Sequence, residues 1–150
     1  MQNIWSDDWD SLGESDWEGG TKSKRVGAGE TLGASVYELP PGVSTAYHFH
    51  HGSEEILLAL DDGLVVRTPD GEQTLARGDV LVFPPGPAGA HGQSNPGETP
   101  VRFVVAGTRP SPEVVEYPDL GQLTAQSRLP SQAGDRLFAI HQLVEVEPPG

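Results

Sequence analysis

From residue 32 onward, apolar and polar side chains alternate with a period of two, interrupted every few residues by glycine or proline. This pattern predicts short strands over Gly33–Leu39, Thr45–His50, Glu55–Leu60, Leu64–Thr68, Glu72–Leu75, Val80–Phe83, Ala90–Gln93 and Val101–Ala106. Asp61-Asp62-Gly63 and Asp70-Gly71 supply tight turns, and Pro40-Pro41-Gly42 and Pro84-Pro85-Gly86-Pro87 break strands and set loops. Many short strands joined by short turns predict an all-β domain, either a small barrel or a closed double-sheet jelly roll.

The segment Glu55–Leu60 carries a second message. Ile56, Leu58 and Leu60 point one way, while Glu55, Leu57 and Ala59 point the other. Apolar side chains on both faces require that the outward face also be covered. The cover is an aromatic arm, the carboxyl-terminal region or another subunit, and a symmetric homodimer is the expected assembly.

The flanks read differently. Residues 1–31 form an acidic head in which Trp5, Trp9 and Trp17 sit among Asp7, Asp8, Asp10, Glu14, Asp16 and Glu18. Such a head suits an arm that lays its rings on the body or on a partner. After the barrel region, residues 32–107, comes an extension, residues 108–150, expected to pack on the barrel or on a partner subunit. In it Thr108–Pro112 is a stiff loop and Glu113–Tyr117 one more short strand. Asp135–Val146 fits either a final strand or a short helix.

Composition narrows the chemistry. The chain has 150 residues, enough for one domain with a real core. A formal charge of −13, from 22 acids against 9 bases, argues against nucleic acid or anionic membrane as partner. It fits either high-salt adaptation or ordinary charge for solubility. The amino terminus lacks the basic start and apolar core of a signal peptide, and no run is long enough to span a bilayer, so a cytoplasmic location is expected. Cysteine is absent, which removes disulfides, thiol catalysis and thiolate metal sites. Any metal must be held by imidazole and carboxylate, which suits Zn, Fe, Mn or Ni.

One constellation supplies those ligands. His48 and His50 stand two apart in an extended segment, so both imidazoles face one side, while His51 faces the other. Alternation puts Glu55 on the ligand side; counting one residue fewer would nominate Glu54. His91 must come across the barrel in space. Three neutral imidazoles and one carboxylate hold a divalent ion and leave room for water or a small-molecule substrate. Gln93 shares the face of His91 and is either a hydrogen-bonding partner of a metal-bound water or substrate, and so the candidate catalytic group, or a satisfied core amide. Asn95 suits a turn cap. Tyr37 either donates to the pocket or simply packs. Arg67 and Arg102 are expected at the surface.

The spacing resembles the cupin superfamily. Its first motif is matched by Gly42, His48, His50 and Glu55, with Asp62 at the expected glycine and Gly63 directly after it. Its second is matched by Gly78, Pro84, Gly86, His91 and Asn95, with four residues before the histidine where the family has two. Gly86-Pro87-Ala88-Gly89-Ala90-His91 and Val114–Asp119 are similar to segments of small one-domain bacterial and archaeal cupins. The resemblance implies a double-stranded β-helix jelly roll (cupin barrel), usually dimeric, with one divalent metal inside, held here by His48, His50, Glu55 and His91. Cupins of this kind include dioxygenases, decarboxylases, sugar-phosphate isomerases, lyases and non-catalytic binding modules. An apolar lining from Leu57, Ala59, Val80 and Val82 favours an oxygenase acting on a small carbonyl or aromatic compound. The alternatives are a ligand-binding or sensing module and a sugar or sugar-phosphate isomerase.

Overall fold

A computed structural model describes residues 1–16, 18–127 and 137–143. Twelve strands are formed among them: β1 (Lys22–Ala28), β2 (Leu32–Leu39), β3 (Phe49–His50), β4 (Glu55–Ala59), β5 (Leu64–Thr68), β6 (Gly71–Leu75), β7 (Val80–Phe83), β8 (Gly92–Ser94), β9 (Val101–Thr108), β10 (Glu113–Tyr117), β11 (Gln122–Ser127) and β12 (Leu137–Gln142). They assemble into sheets ordered β1-β2-β9-β4-β7, β12-β11-β10-β3 and β6-β5-β8, all paired antiparallel. The molecule is an all-β jelly-roll barrel.

Its core is a continuous set of inward side chains: Leu39, Leu57, Ala59, Leu64, Val66, Leu75, Phe83, Val101 and Phe103. Leu57 is flanked across the five-stranded sheet by Val105 on β9 and Leu81 on β7. The β-branched and leucine-rich runs form strands because each buries one face of the pleat against the opposite sheets.

The register also fixes what faces outward. Ala34, Ala106, Ile56 and Val82 form one rung across the sheet, and Val36, Val104, Leu58 and Val80 the next. Val80 and Val82 are therefore exposed on the outer face, 49% and 59%, and not part of the lining expected from the sequence. β7 sends Leu81 and Phe83 inward instead, a parity that depends on pairing with β4 and is invisible in a four-residue apolar run.

Other departures concern polar strands. Residues 22–28, placed in the head by composition, are the edge strand of the five-stranded sheet, and their Lys-Ser-Lys-Arg start conceals it. Gln122–Ser127 is a strand with little apolar content. The segment whose type was open in the sequence contributes β12. Of Thr45–His50 only the end joins a ladder, with His48 bridging His91 and Ser44 bridging Ser94 singly.

The amino-terminal residues lie on the outer face of β1 and β2. Lys24, buried to 2%, donates from Nζ to Asn3 O at 2.7 Å, to the carbonyl of Ser6, to Ser6 Oγ at 2.9 Å and to Asp8 Oδ1 at 3.0 Å. Trp9 lies near three cations, Lys22, Lys24 and Arg102, at 5.7, 5.2 and 5.0 Å from its ring centre. Trp5 stays half exposed under Arg77. Trp17 and the residues beyond 143 lie outside the described residues. No helix among those described is long and apolar enough to cross a membrane.

Candidate metal centre

Each candidate ligand is delivered by a different local device. His50 lies on β3 and His48 just before it, so the two rings emerge on one side, with centroids 5.1 Å apart. Glu55 opens β4 on the inward face, opposite Gly107 on β9 and Phe83 on β7. A side chain at position 107 would put its Cβ 2.9 Å from Glu55 Cγ and 2.8 Å from Glu54 O, so glycine there lets β9 approach the carboxylate. His91 follows the 3₁₀ turn Pro87–Gly89, which is closed by Gly89 packed where a Cβ would fall 1.8 Å from Pro84 O. The His91 ring stacks on Phe83 at 3.8 Å and is buried to 1%.

Three of the groups, His48, His50 and Glu55, meet inside the barrel, and His91 reaches them through Glu55. Ligand atoms of His48, His50 and Glu55 all lie within 4.8 Å of one another. Glu55 Oε2 is 3.3 Å from Nε2 of His50 and 3.3 Å from Nε2 of His91, and the His91 ring centre is 4.6 Å from that of His48. Glu54 is exposed, so the carboxylate brought to the histidines is Glu55. His51 is also exposed and pairs with Glu116 at 3.1 Å, away from the cluster.

The hydrogen bonds set the tautomers. His48 Nδ1 lies 2.9 Å from Ala46 O, His91 Nδ1 2.8 Å from Gly89 O, and His50 Nδ1 2.7 Å from Glu113 Oε1. These oxygens only accept, so each Nδ1 carries the proton and donates, leaving Nε2 with a lone pair turned inward. His50 Nε2 is buried and makes no hydrogen bond; its approach to Glu55 has the distance of an ion pair without the alignment. A buried nitrogen left in this state is costly unless something coordinates it. Tetrahedral ligands about 2.0–2.1 Å from a zinc-sized ion stand roughly 3.3 Å apart, matching the separations around Glu55. The residues present fit a divalent cation.

Electrostatics point the same way. Burial, then the charge of His91, pushes His48 down to about 4, so it is neutral near pH 7 and available as a ligand. Burial would also lower His50, but the carboxylates of Glu113 and Glu55 outweigh it and raise the group to about 9. Burial opposes ionisation of Glu55, yet His50 and His91 hold it well below the usual carboxylate range. Two carboxylates facing one imidazole demand a positive charge, which a proton or a cation can supply.

Glu113 was not identified from the sequence. It opens β10, and only the pairing of β10 with β3 brings it to His50, so no local signal could have found it. Gln93 is buried with its Oε1 accepting from Thr45 Oγ1 at 2.6 Å. It lines a polar hollow with Tyr47, Arg67 and Asp119, whereas Thr45 also lines the hollow beside His48. The amide thus stands one hydrogen bond behind the cavity. Asn95 caps its turn, accepting from Gly97 N and donating to Leu39 O and Thr99 O. Arg67 pairs with Asp119, and Arg102 with Glu38 and Asp7, both remote from the cluster.

Two cavities flank the cluster, and Tyr37 lines both. One, about 360 Å³, is bounded by His48, Ser44, Thr45, Tyr117 and the amino-terminal residues Glu18, Thr21 and Ser23. The other, about 240 Å³, is bounded by His50, Glu55, Glu113, Ser35, Ser53, Gln126 and two arginines. Tyr37 stacks on Phe103 at 5.4 Å, and burial, with the charge of Glu55, raises its phenol above the ordinary value, so it stays protonated as a donor.

A protein family described as a cupin domain matches residues 35–107. The structure of a cupin-superfamily sugar phosphate isomerase from Silicibacter pomeroyi superposes with a TM-score of 0.71 at 26% identity, covering 83% of this chain and 77% of that one. A Thermus thermophilus protein is 32% identical with a TM-score of 0.54, over 60% of this chain and 85% of that one. An auxin-binding protein of Prunus persica is 32% identical over 95 residues, 57% of this chain and 44% of that protein. The chain spans less than half the length of the curated relatives it matches.

Proposed function

The chain is a small cupin-domain protein, and on that premise we propose a metal-dependent enzyme acting on a small, polar hydroxy-carbonyl compound by isomerisation. His48, His50, Glu55 and His91 would hold one divalent ion, and Glu113 would orient His50. When bound, such an ion acts as a Lewis acid towards a carbonyl or enediol oxygen. Tyr37, kept protonated, donates to a substrate oxygen, and Thr45, braced by Gln93, presents its hydroxyl at the cavity wall.

The observation that carries this reading is the lining. Oxidation of a small carbonyl or aromatic compound drew its support from an apolar wall that included Val80 and Val82, and both face outward. The cavity beside His50 and Glu55 instead presents hydroxyls, an amide and guanidinium groups. The similarity to a sugar phosphate isomerase at 26% identity supports the same choice.

The test is proton exchange in heavy water. The metal-loaded protein, offered a panel of small hydroxy-aldehydes and hydroxy-ketones, is expected to introduce deuterium next to the carbonyl without consuming oxygen. Oxygen uptake with small diketones or phenols after Fe(II) loading would instead make it an oxygenase. Saturable binding with neither reaction would make it a binding module. A homodimer in the cytoplasm, with the outer apolar rungs of the five-stranded sheet buried between copies, completes the proposal.

A further inference from the structure

We propose that Tyr117 is a specificity-determining wall of the site, where its ring receives the carbon face of a neutral, cyclic polyhydroxy compound in the cavity beside His48. The proposal rests on the reading of the metal centre as a site for small hydroxy-carbonyl compounds, and it assigns where the ring of such a compound lies. That cavity, about 360 Å³, is within the range of about 300–1,000 Å³ that suits small ligands.

Register decides that Tyr117 faces inward. Val115 on β10 pairs with His50 on β3, and Glu113 reaches His50 Nδ1 at 2.7 Å, so residues 113, 115 and 117 share the inner side of β10. The Tyr117 ring stands 5.8 Å from that of His48, tilted by 33°, and the residue is half-buried at the cavity wall.

The rest of the wall is rich in hydroxyls. Ser23 on β1 pairs with Tyr37 on β2, so both side chains turn to one face of the sheet, opposite that of Lys22 and Lys24. Both line the cavity, as does Thr21. Ser23 is fixed there by two backbone hydrogen bonds with Ser11, each 3.0 Å.

This combination selects the ligand. A flat aromatic face takes C–H groups, while the hydroxyls of Ser23, Thr21 and Tyr37 suit a ring whose edge carries hydroxyls of its own. Charge narrows the class further. Among the described residues bounding the cavity, Glu18 is the one carboxylate, and none is lysine or arginine. The hydroxyls of Ser15 and Ser11 hold Glu18 below the usual carboxylate range, so it stays ionised and disfavours an anionic ligand.

Binding of methyl β-glucoside to the full chain tests this, since a locked ring cannot isomerise. Titration calorimetry is expected to show saturable binding. Sorbitol, the open-chain counterpart, and methyl β-glucuronide, the anionic one, should each bind more weakly. Y117A is expected to weaken the glucoside about tenfold, and Y117F, which keeps the ring, to leave it within about twofold. In the unaltered chain the glucoside should shift the ring-proton resonances of Tyr117, a readout independent of whether a variant folds. The proposal is overturned by absence of saturable glucoside binding, by unshifted Tyr117 resonances, or by equal binding in Y117A and the unaltered chain. Sorbitol or glucuronide binding as tightly as the glucoside, or a loss in Y117F as large as in Y117A, overturns it too. Because the glucoside is not turned over, failure here leaves the metal centre and the deuterium exchange standing, and a failed exchange leaves this result standing.

Discussion

Glu113 illustrates how one side chain decides the state of another. Its carboxylate accepts the Nδ1 proton of His50 at 2.7 Å and thereby aims Nε2 at Glu55. Replacing Glu113 by glutamine keeps an acceptor but removes the charge that makes His50 a strong base. Metal affinity of E113Q is expected to fall about 10–100-fold, measured by chelator competition. E116Q, whose parent carboxylate touches the exposed His51, should bind metal as before. The metal-free protein should also report on His50 through pH. A histidine raised from 6.5 to about 9 binds its proton more tightly folded than unfolded, so its stabilisation is complete below pH 6.5 and fades as pH rises towards 9. His48, lowered to about 4, acts in the opposite sense below pH 6.5, where the unfolded chain takes up the proton that the folded one refuses. Thermal melts of the stripped protein should therefore lose stability between pH 6.5 and 9, and H50Q should flatten that slope. An unchanged slope in H50Q would show that another group dominates.

At the scale of elements, the barrel works because strands from distant stretches converge at fixed register. Gly107 is the clearest case: β9 can pass Glu55 only without a side chain there. G107A should cost about 1–3 kcal/mol in denaturant unfolding and weaken metal binding as Glu55 is displaced. Unaltered metal affinity would mean that the carboxylate has room to retreat. The same convergence explains what could be read in advance. His48, His50 and Glu55 lie within one short stretch where alternation alone separates Glu55 from Glu54 and His51, so their grouping was legible. His91 was placed by its turn, since proline and glycine at 84–89 announce the loop that delivers it. Glu113 was not legible as a partner of His50, because only the pairing of β10 with β3, distant in the sequence, brings the two together. Val80 and Val82 misled for a related reason: in a run of four apolar residues, either face can be the inner one.

Across the whole molecule, the five-stranded sheet has an inner face closed by the core and an outer face only partly covered. Lys24 and the residues around it cover the Val36 end, while Leu32, Ile56, Val80 and Val82 remain open to solvent. A groove lined by Leu32, Ala34, Ile56, Val82 and Ala106 runs along that open part. A second copy laid over these rungs would bury them, and sedimentation should show a dimer that I56K converts to a monomer with its metal retained. A monomer at all concentrations would contradict the covered face. The interior of the barrel is probed by its metal content. Elemental analysis of the purified chain should find one divalent ion per molecule, lost in both H48A and H91A while each remains folded. Stoichiometric metal persisting in those variants, or none in the unaltered chain after metal is supplied, would contradict a centre built from His48, His50, Glu55 and His91.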